Sequence, residues 1–275
     1  MKKVESIVRD HYSVTDLGKN ILNGLAKTGK DTDRLTVDDL SIVDEFHIGG
    51  RQATEHLISK LALSGHEHVL DIGSGIGGAA RTIATHTGCR VSGIDLTPEY
   101  VDVAQMLSRL TGNTETTSFQ AASALSMPFD NQTFDAAITL HVAMNIEDRD
   151  TLYKEIARVL KSGAKLCIYD VMKKNDTPIT FPVPWASVPE ASHLRTPEDM
   201  STHLEDAGFE VIEIEDRTEF ANEYFQRRMA ASTGTPSPLG PHLVMGATAK
   251  EKIKNIRLNV ESGRVTPVQM IAVRK

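Results

Sequence analysis

The sequence predicts an α/β fold: a doubly wound, seven-stranded, mostly parallel sheet with helices on both faces. Three observations carry this. From residue 66 onward, short apolar runs alternate with stretches of helical period, the pattern of a parallel sheet covered on both sides. The first run lies in "VLDIGSGIGGAARTIA" (69–84) and ends in an acid and a glycine cluster that opens a helix. Thr97-Pro98-Glu99 is a strong helix start, with a capping residue, proline at the first helical position and an acid in the first turn.

The elements follow in order. "HEHVLDI" (66–72) is a buried strand, and residues 77–87 a helix ended by Gly88. "CRVSGIDL" (89–96) is the second strand, and the helix after Thr97 runs to about Gly112. "TTSFQAAS" (116–123) and "FDAAITLHV" (134–142) are strands three and four. A helix opens near Asp148 and runs to Leu160, "KSG" closes it, and "AKLCIYDVM" (164–172) is the fifth strand. Pro197 opens a helix that Gly208 stops, and "FEVIEIEDRT" (209–218) and "TPVQMIAVRK" (266–275) complete the seven. In such a sheet, ligands sit at the carboxyl ends of the strands near the switch in strand order.

Three regions lie outside this core. Residues 1–65 read as a helical N-terminal cap, amphipathic at about 16–27 and 50–62. Residues 66–275 form the core with two insertions, 173–195 and 219–262, on the substrate side. The proline and glycine in "FPVPWASVPEAS" and "GTPSPLGPHLVMG" predict irregular, lid-like backbone there.

Composition narrows the function classes. At 275 residues with 40% hydrophobic and 24% charged, the chain is expected to bury a core. A net charge of −7 without a basic run argues against a nucleic-acid partner. "MKKVESIVRDHYS" lacks the apolar core of a signal peptide, and no run is long enough to span a membrane. The two cysteines, Cys89 and Cys167, sit in apolar strands and read as buried thiols, with no metal site expected. Together these features read as a cytoplasmic protein.

The glycine turn fits two cofactors. Gly73, Gly75 and Gly78 match the dinucleotide pattern G-x-G-x-x-G. They also fit the looser D-x-G-x-G-x-G that starts at Asp71. Asp95, 22 residues after Gly73, suits two ribose hydroxyls in either case. An acid at position 71 favours the second pattern, that of S-adenosylmethionine (SAM) binders.

The later segments resemble the class I SAM-dependent methyltransferases, whose fold is Rossmann-like. The matching residues are Met127-Pro128-Phe129, Phe134-Asp135 and Val159-Leu160-Lys161-Ser162-Gly163-Ala164, and the resemblance is close over about 66–172. "DEFHIGGRQATEHL" (44–57) is similar to the segment before the fold in sarcosine/dimethylglycine and phosphoethanolamine N-methyltransferases. "MNIED" resembles a run in ubiquinone/menaquinone C-methyltransferases, so the subfamily stays open.

The resemblance implies SAM as cofactor, held by Gly49, Arg51, Asp71, Gly73, Gly75, Asp95, Leu96, Ser123, Ala124 and His141. Arg51 is the candidate partner of the cofactor carboxylate. Ser123 stands where many relatives have an aspartate for the adenine amino group. His141, after strand four, is the candidate base, and Asn145 stands where the phosphoethanolamine enzymes have a catalytic histidine. Tyr12, His47 and Trp185 are the candidate acceptor-binding residues. The acceptor is expected to be a small molecule, an amine or amino acid first. Phe181, Phe220, Tyr224, Phe225 and Met229 are expected in its pocket wall, and Arg195, Arg227 and Arg228 as carboxylate anchors. A non-catalytic SAM-binding module and an NAD-dependent oxidoreductase are the alternatives. The insertions and His141 favour catalysis.

Overall fold

The structure, a computed structural model, describes residues 5, 8, 9, 11, 12, 14–231 and 237–275. The reading of residues 1–13 as lacking an apolar leader core, and the Gly-Thr-Pro start of the stretch 234–246, fall partly outside that description. From residue 14 on, three helices come first: α1 (Leu17–Lys27), α2 (Val37–Asp44) and α3 (Arg51–Leu61). The alternating core follows with β1 (His68–Ile72), α4 (Gly78–Thr87), β2 (Arg90–Asp95), α5 (Pro98–Leu110), β3 (Thr117–Ala121) and β4 (Phe134–Leu140). It continues with α6 (Arg149–Val159), β5 (Leu160–Lys173), α7 (Pro197–Asp206) and β6 (Phe209–Asp216). After α8 (Thr218–Ala230), α9 (His242–Met245) and α10 (Ala249–Glu261), β7 (Val265–Arg274) closes the chain.

The seven strands form one sheet in the order β3-β2-β1-β4-β5-β7-β6. The first five in that order pair in parallel, and β7 runs antiparallel to both β5 and β6. The order reverses direction beside β1, which pairs β2 on one edge and β4 on the other. The carboxyl ends of β1 and β4 therefore flank the crevice where a ligand fits such a sheet. Val69, Leu70 and Ile72 are all fully buried, so β1 is covered on both faces, which is why it reads as an unbroken apolar run.

One face packs α6 and α7 through Leu152, Tyr153, Ile156, Met200 and Leu204. The other packs α3, α4 and α5 through Leu57, Ile83 and Ala104. The N-terminal helices build their own cluster on α5, with Ile21, Leu25, Leu40 and Val43 against Tyr100 and Leu107. The first insertion packs on the second: Val183, Trp185 and Ala191 meet Phe225, Ile256 and Val260.

Three expectations are corrected. Residues 219–262 are largely helical, because 218–230 and 249–261 contain neither glycine nor proline and are rich in helix formers. Strand β5 begins at Leu160, taking in the Lys-Ser-Gly stretch through a register shift opposite Phe134 and Ala136. Thr97 does not cap α5 with its side chain; its N–H is instead bound by Asp95 Oδ1 at 2.9 Å.

Candidate active site

The site is built first by the turn after β1. The N–H groups of Gly73 and Ser74 both donate to Ile94 O, at 2.8 and 2.9 Å, which folds the turn back onto β2. Gly75 N–H donates to Asp95 Oδ2 at 2.8 Å, so one carboxylate ties the turn to the start of α5. Gly73 holds φ at +72°, and a Cβ there would meet Val142 Cγ2 at 2.4 Å. Glycine lets the loop after β4 close directly onto the loop after β1.

Buried charges lock the N-terminal helices to this turn. Arg81 on α4 is fully buried and donates to Asp44 Oδ2 and to Ile76 O, both at 2.8 Å. Glu45 accepts from Arg51 Nε, from Thr54 Oγ1 at 2.5 Å and from Thr82 Oγ1 at 2.8 Å. Arg51 also donates to Asp38 Oδ1 at 2.8 Å and to Val37 O at 3.1 Å. Its guanidinium is thus engaged within α2 and α3, and it does not line the cavity, contrary to its expected place beside a cofactor carboxylate. Gly49 is likewise displaced from its expected role: its Cα faces Phe220 of α8, where a Cβ would sit 2.3 Å from the ring.

The loop after β4 is held by Asp170 at the end of β5, a residue the sequence reading did not single out. Its two carboxylate oxygens accept from Val142 N–H at 2.8 Å and Ala143 N–H at 3.1 Å. His141 donates its backbone N–H to Tyr169 O at 2.7 Å and has φ +56°. Asn145 donates through Nδ2 to Trp185 O at 2.7 Å and Ala191 O at 3.3 Å. Tyr12 OH donates to Asn145 Oδ1 at 3.1 Å, and a ring nitrogen of His11 meets Pro184 O at 3.0 Å.

These elements line a cavity of about 200 Å³ that is partly open to solvent. Asp71, Gly73, Ser74 and Gly75 line one side, with Asp95, Leu96 and Tyr100 beyond them and Ser123 and Ala124 at the far end. Tyr12, His47, His141, Asn145 and Trp185 line it as well, with the Tyr12 ring 6.1 Å from that of Tyr100. Ser123 Oγ donates to Glu5 Oε1 at 2.5 Å and accepts from Leu125 N–H at 3.1 Å. A carboxylate therefore stands beside Ser123, delivered from the N-terminal segment. A single acid before the amphipathic helices gave no periodic signal by which to find it.

The expected wall residues Phe220, Tyr224, Phe225 and Met229 do not line the cavity, nor do Phe181, Arg195, Arg227 and Arg228. Phe225 is core, Met229 faces solvent, Arg228 stacks on Tyr224 and Arg227 donates to Gln52. Phe225, Ile256 and Val260 of the 219–262 insertion pack instead on Val183, Trp185 and Ala191 of the first.

The electrostatics of the site are set by burial. Burial, and then the charge of Asp95, pushes Asp71 up to about 7. Burial also raises Asp95, against the N–H bonds from Thr97 and Gly75. It lowers His47, and it takes His141 well below the ordinary histidine value, with His47 adding to the effect. Five lining residues each keep one buried polar atom without a partner: Asp44 Oδ1, Asp71 Oδ2, Ser74 Oγ, Tyr100 OH and His141 Nε2. Buried groups of this kind are ordinarily hydrogen-bonded.

Comparison with known proteins agrees with this geometry. Residues 70–168, from β1 into β5, match the methyltransferase domain family. Methyltransferase GfsG of Streptomyces halstedii is 29% identical over 184 residues, 66% of this chain and 66% of that protein. Phosphoethanolamine N-methyltransferase 1 of Triticum aestivum is 30% identical over 178 residues, 62% of this chain and 34% of that one. The chain thus aligns with less than two thirds of either relative. Geranyl diphosphate C-methyltransferase of Streptomyces coelicolor A3(2) superposes with a TM-score of 0.72 at 20% identity, covering 100% of this chain and 98% of that one. The domain match from β1 into β5, the seven-stranded sheet and the acid-and-glycine turn together support a class I S-adenosylmethionine-dependent methyltransferase.

Proposed function

We propose that this chain binds SAM in the cavity and transfers its methyl group to a small-molecule acceptor, with an amine the first class to test. The observation that carries the reading is one cavity at the carboxyl ends of β1, β2 and β4, lined by Asp71, the glycine turn and Asp95, with several lining residues that keep a buried polar atom without a partner. Asp71, Gly73, Ser74 and Gly75 would hold the methionine end, Asp95 with Leu96 the ribose, and Ser123 with Ala124 the adenine. When bound, the cofactor supplies an already activated methyl group. The chain's own task is then alignment and exclusion of water, which can lower a barrier by roughly 7–11 kcal/mol.

The described part of residues 1–65 serves as a cap in this reading, since Tyr12 and His47 line the same cavity as the glycine turn. Trp185 and Pro184, from the first insertion, form the roof. His141, kept neutral by burial, is the group able to take a proton from the acceptor. Asn145 holds the walls together through its three hydrogen bonds. The phosphoethanolamine N-methyltransferase among the relatives supports an amine acceptor.

Calorimetry with SAM and its demethylated product tests cofactor binding, and Asp95→Ala should weaken it by about 1–3 kcal/mol. Product formation from a panel of small amines, quinol precursors and thiols tests transfer and separates an enzyme from a passive SAM-binding module. Binding of NAD without SAM would overturn the reading. So would methylation confined to tRNA or protein.

A further inference from the structure

We propose that Glu5 reads the adenine amino group of the cofactor, as a specificity determinant carried by the N-terminal segment. This rests on the methyl-transfer reading above and names the side chain that tells adenine from other purines.

The place is fixed by the carboxyl edge of β2 and β3. Asp95, the last residue of β2, is in register with Ala121, and Ala122 N–H donates to Asp95 O at 2.9 Å. Ser123 therefore stands just beyond Asp95 on the β3 side. With the methionine end at the glycine turn and the ribose at Asp95, the base falls among Leu96, Ala122, Ala124 and Leu125, an apolar seat for a planar ring.

At that seat the Ser123 hydroxyl gives its proton to Glu5 Oε1 at 2.5 Å and accepts from Leu125 N–H at 3.1 Å. Ser123 thus holds the carboxylate at the cavity wall, and Glu5 is the charge-bearing acceptor beside it. Among the described residues, neither Glu5 Oε2 nor Ala124 N–H has a partner. Flanking Ser123, they set an acceptor beside a donor. Adenine presents the complement, an amino donor next to the acceptor N1. A hypoxanthine ring reverses both groups. Its oxo group would face the Glu5 carboxylate and its N1–H the Ala124 N–H, leaving each of them unpaired, which is costly in a closed site.

Glu5 is held there by more than Ser123. Glu5, Val8 and Tyr12 all line the cavity, and residues 5, 8, 9, 11 and 12 are helical. Spacings of three and four place those three side chains on one helix face. The same face is pinned at the roof and at the loop after β4. Tyr12 OH donates to Asn145 Oδ1 at 3.1 Å, and the two ring nitrogens of His11 meet Pro184 O at 3.0 Å and Ser187 Oγ at 3.2 Å. The segment therefore presents the Glu5 carboxylate to the cavity in a defined position.

Two ligands that differ only at the purine edge test this. S-adenosylhomocysteine and S-inosylhomocysteine, with an oxo group in place of the amino group, are titrated calorimetrically into the native protein, Glu5→Gln and Glu5→Ala. The native protein should hold the adenine ligand roughly 10- to 100-fold tighter, the range for a hydrogen bond to a charged group. Glutamine keeps the size of the side chain and can turn either its oxygen or its amide N–H to the ligand, so Glu5→Gln should shrink the gap to a few-fold. Glu5→Ala should do the same. The ratio is read within each protein, so a change in the folded fraction affects both ligands alike. A Glu5 that only packs the N-terminal segment would weaken both ligands and leave the ratio as it was. Equal binding of the two ligands by the native protein would overturn the proposal, as would variants that keep the native ratio, with the methyl-transfer reading intact in both cases. Failure of the native protein to bind S-adenosylhomocysteine would count against that reading first, and against the proposal with it.

Discussion

The Tyr12 hydroxyl donates to Asn145 Oδ1 at 3.1 Å, a contact between residues 133 positions apart. Through the other end of the same amide, Asn145 donates to Trp185 O and Ala191 O. One side chain thus joins the N-terminal segment, the loop after β4 and the roof. Asn145 cannot take a proton, and its place is that of a fastener between these three segments.

Tyr12→Phe removes that bond and keeps the ring. A loss of about 0.5–1.5 kcal/mol in stability is expected, a drop in Tm of roughly 2–4 °C per kcal/mol. The acceptor KM should rise more than the Kd for SAM, because the bond closes the acceptor side. Thermal unfolding and initial rates check both, and a change confined to SAM affinity would place Tyr12 on the wrong side of the cavity.

Gly73 and Gly75 look equivalent in sequence and differ in space. Both have positive φ, +72° and +53°. A Cβ on Gly73 would sit 2.4 Å from Val142 Cγ2, whereas on Gly75 its nearest neighbour is Phe46 Cε1 at 3.6 Å. Gly75→Ala should cost only the left-handed backbone strain, about 1–2 kcal/mol. Gly73→Ala adds an overpacking term of about 1–3 kcal/mol and should also displace the loop bearing His141. Denaturant unfolding of the two variants gives the order, and equal costs would refute the close approach of the two loops.

Asp71 trades stability for binding. Its carboxyl is raised to about 7 by burial and by Asp95, against about 3.9 in an unfolded chain. The folded protein holds a proton that the unfolded chain has released. Stability from this group is therefore full below pH ~4 and lost as pH rises toward 7. Asp71→Asn should remove the loss and stabilise the ligand-free protein above neutral pH, by on the order of 2–4 kcal/mol at most. The cationic cofactor prefers the ionised acid, so SAM affinity should rise with pH through 7 in the native chain and stay flat in the variant. Unfolding curves and calorimetry across that range check this. A variant that is both less stable and equally responsive to pH would contradict it.

The legible part of the fold was the part fixed by local pattern. The first four strand–helix units follow from apolar runs and glycine or proline punctuation, and Asp71 and Asp95 stand out because strand ends rarely carry acids without a use. What stayed hidden depends on partners distant in sequence. Arg51 looked available until Glu45 and Asp38 were seen to hold it. The aromatic residues of 218–230 looked like pocket wall because their side chains suit one. In space, that helix turns them toward the roof cluster, Gly49 and solvent. Asp170 carries no motif of its own, and its use appears only when β5 is set beside β4.

His141 is the sharpest test of the chemistry. Its ring lies 5.1 Å from that of Tyr169 and 6.0 Å from that of His47, and its Nε2 is buried without a partner. Burial first, and His47 second, take its pKa well below 6.5. Its stability contribution is then complete above pH ~6.5 and lost as pH falls toward the depressed value. The basic form is likewise already populated at neutral pH, so the acid limb of the rate profile should fall well below pH ~6.5. His141→Ala should lower kcat and kcat/KM together, by roughly 10²–10⁴-fold for a general base, with little change in SAM affinity. The position also has φ +56°, so alanine adds backbone strain that could mimic such a loss. Asparagine tolerates that conformation and keeps a polar side chain but cannot accept the proton. His141→Asn should therefore fold as well as the native chain and still lose turnover. An asparagine variant that retains its rate would reduce His141 to a residue that shapes the loop.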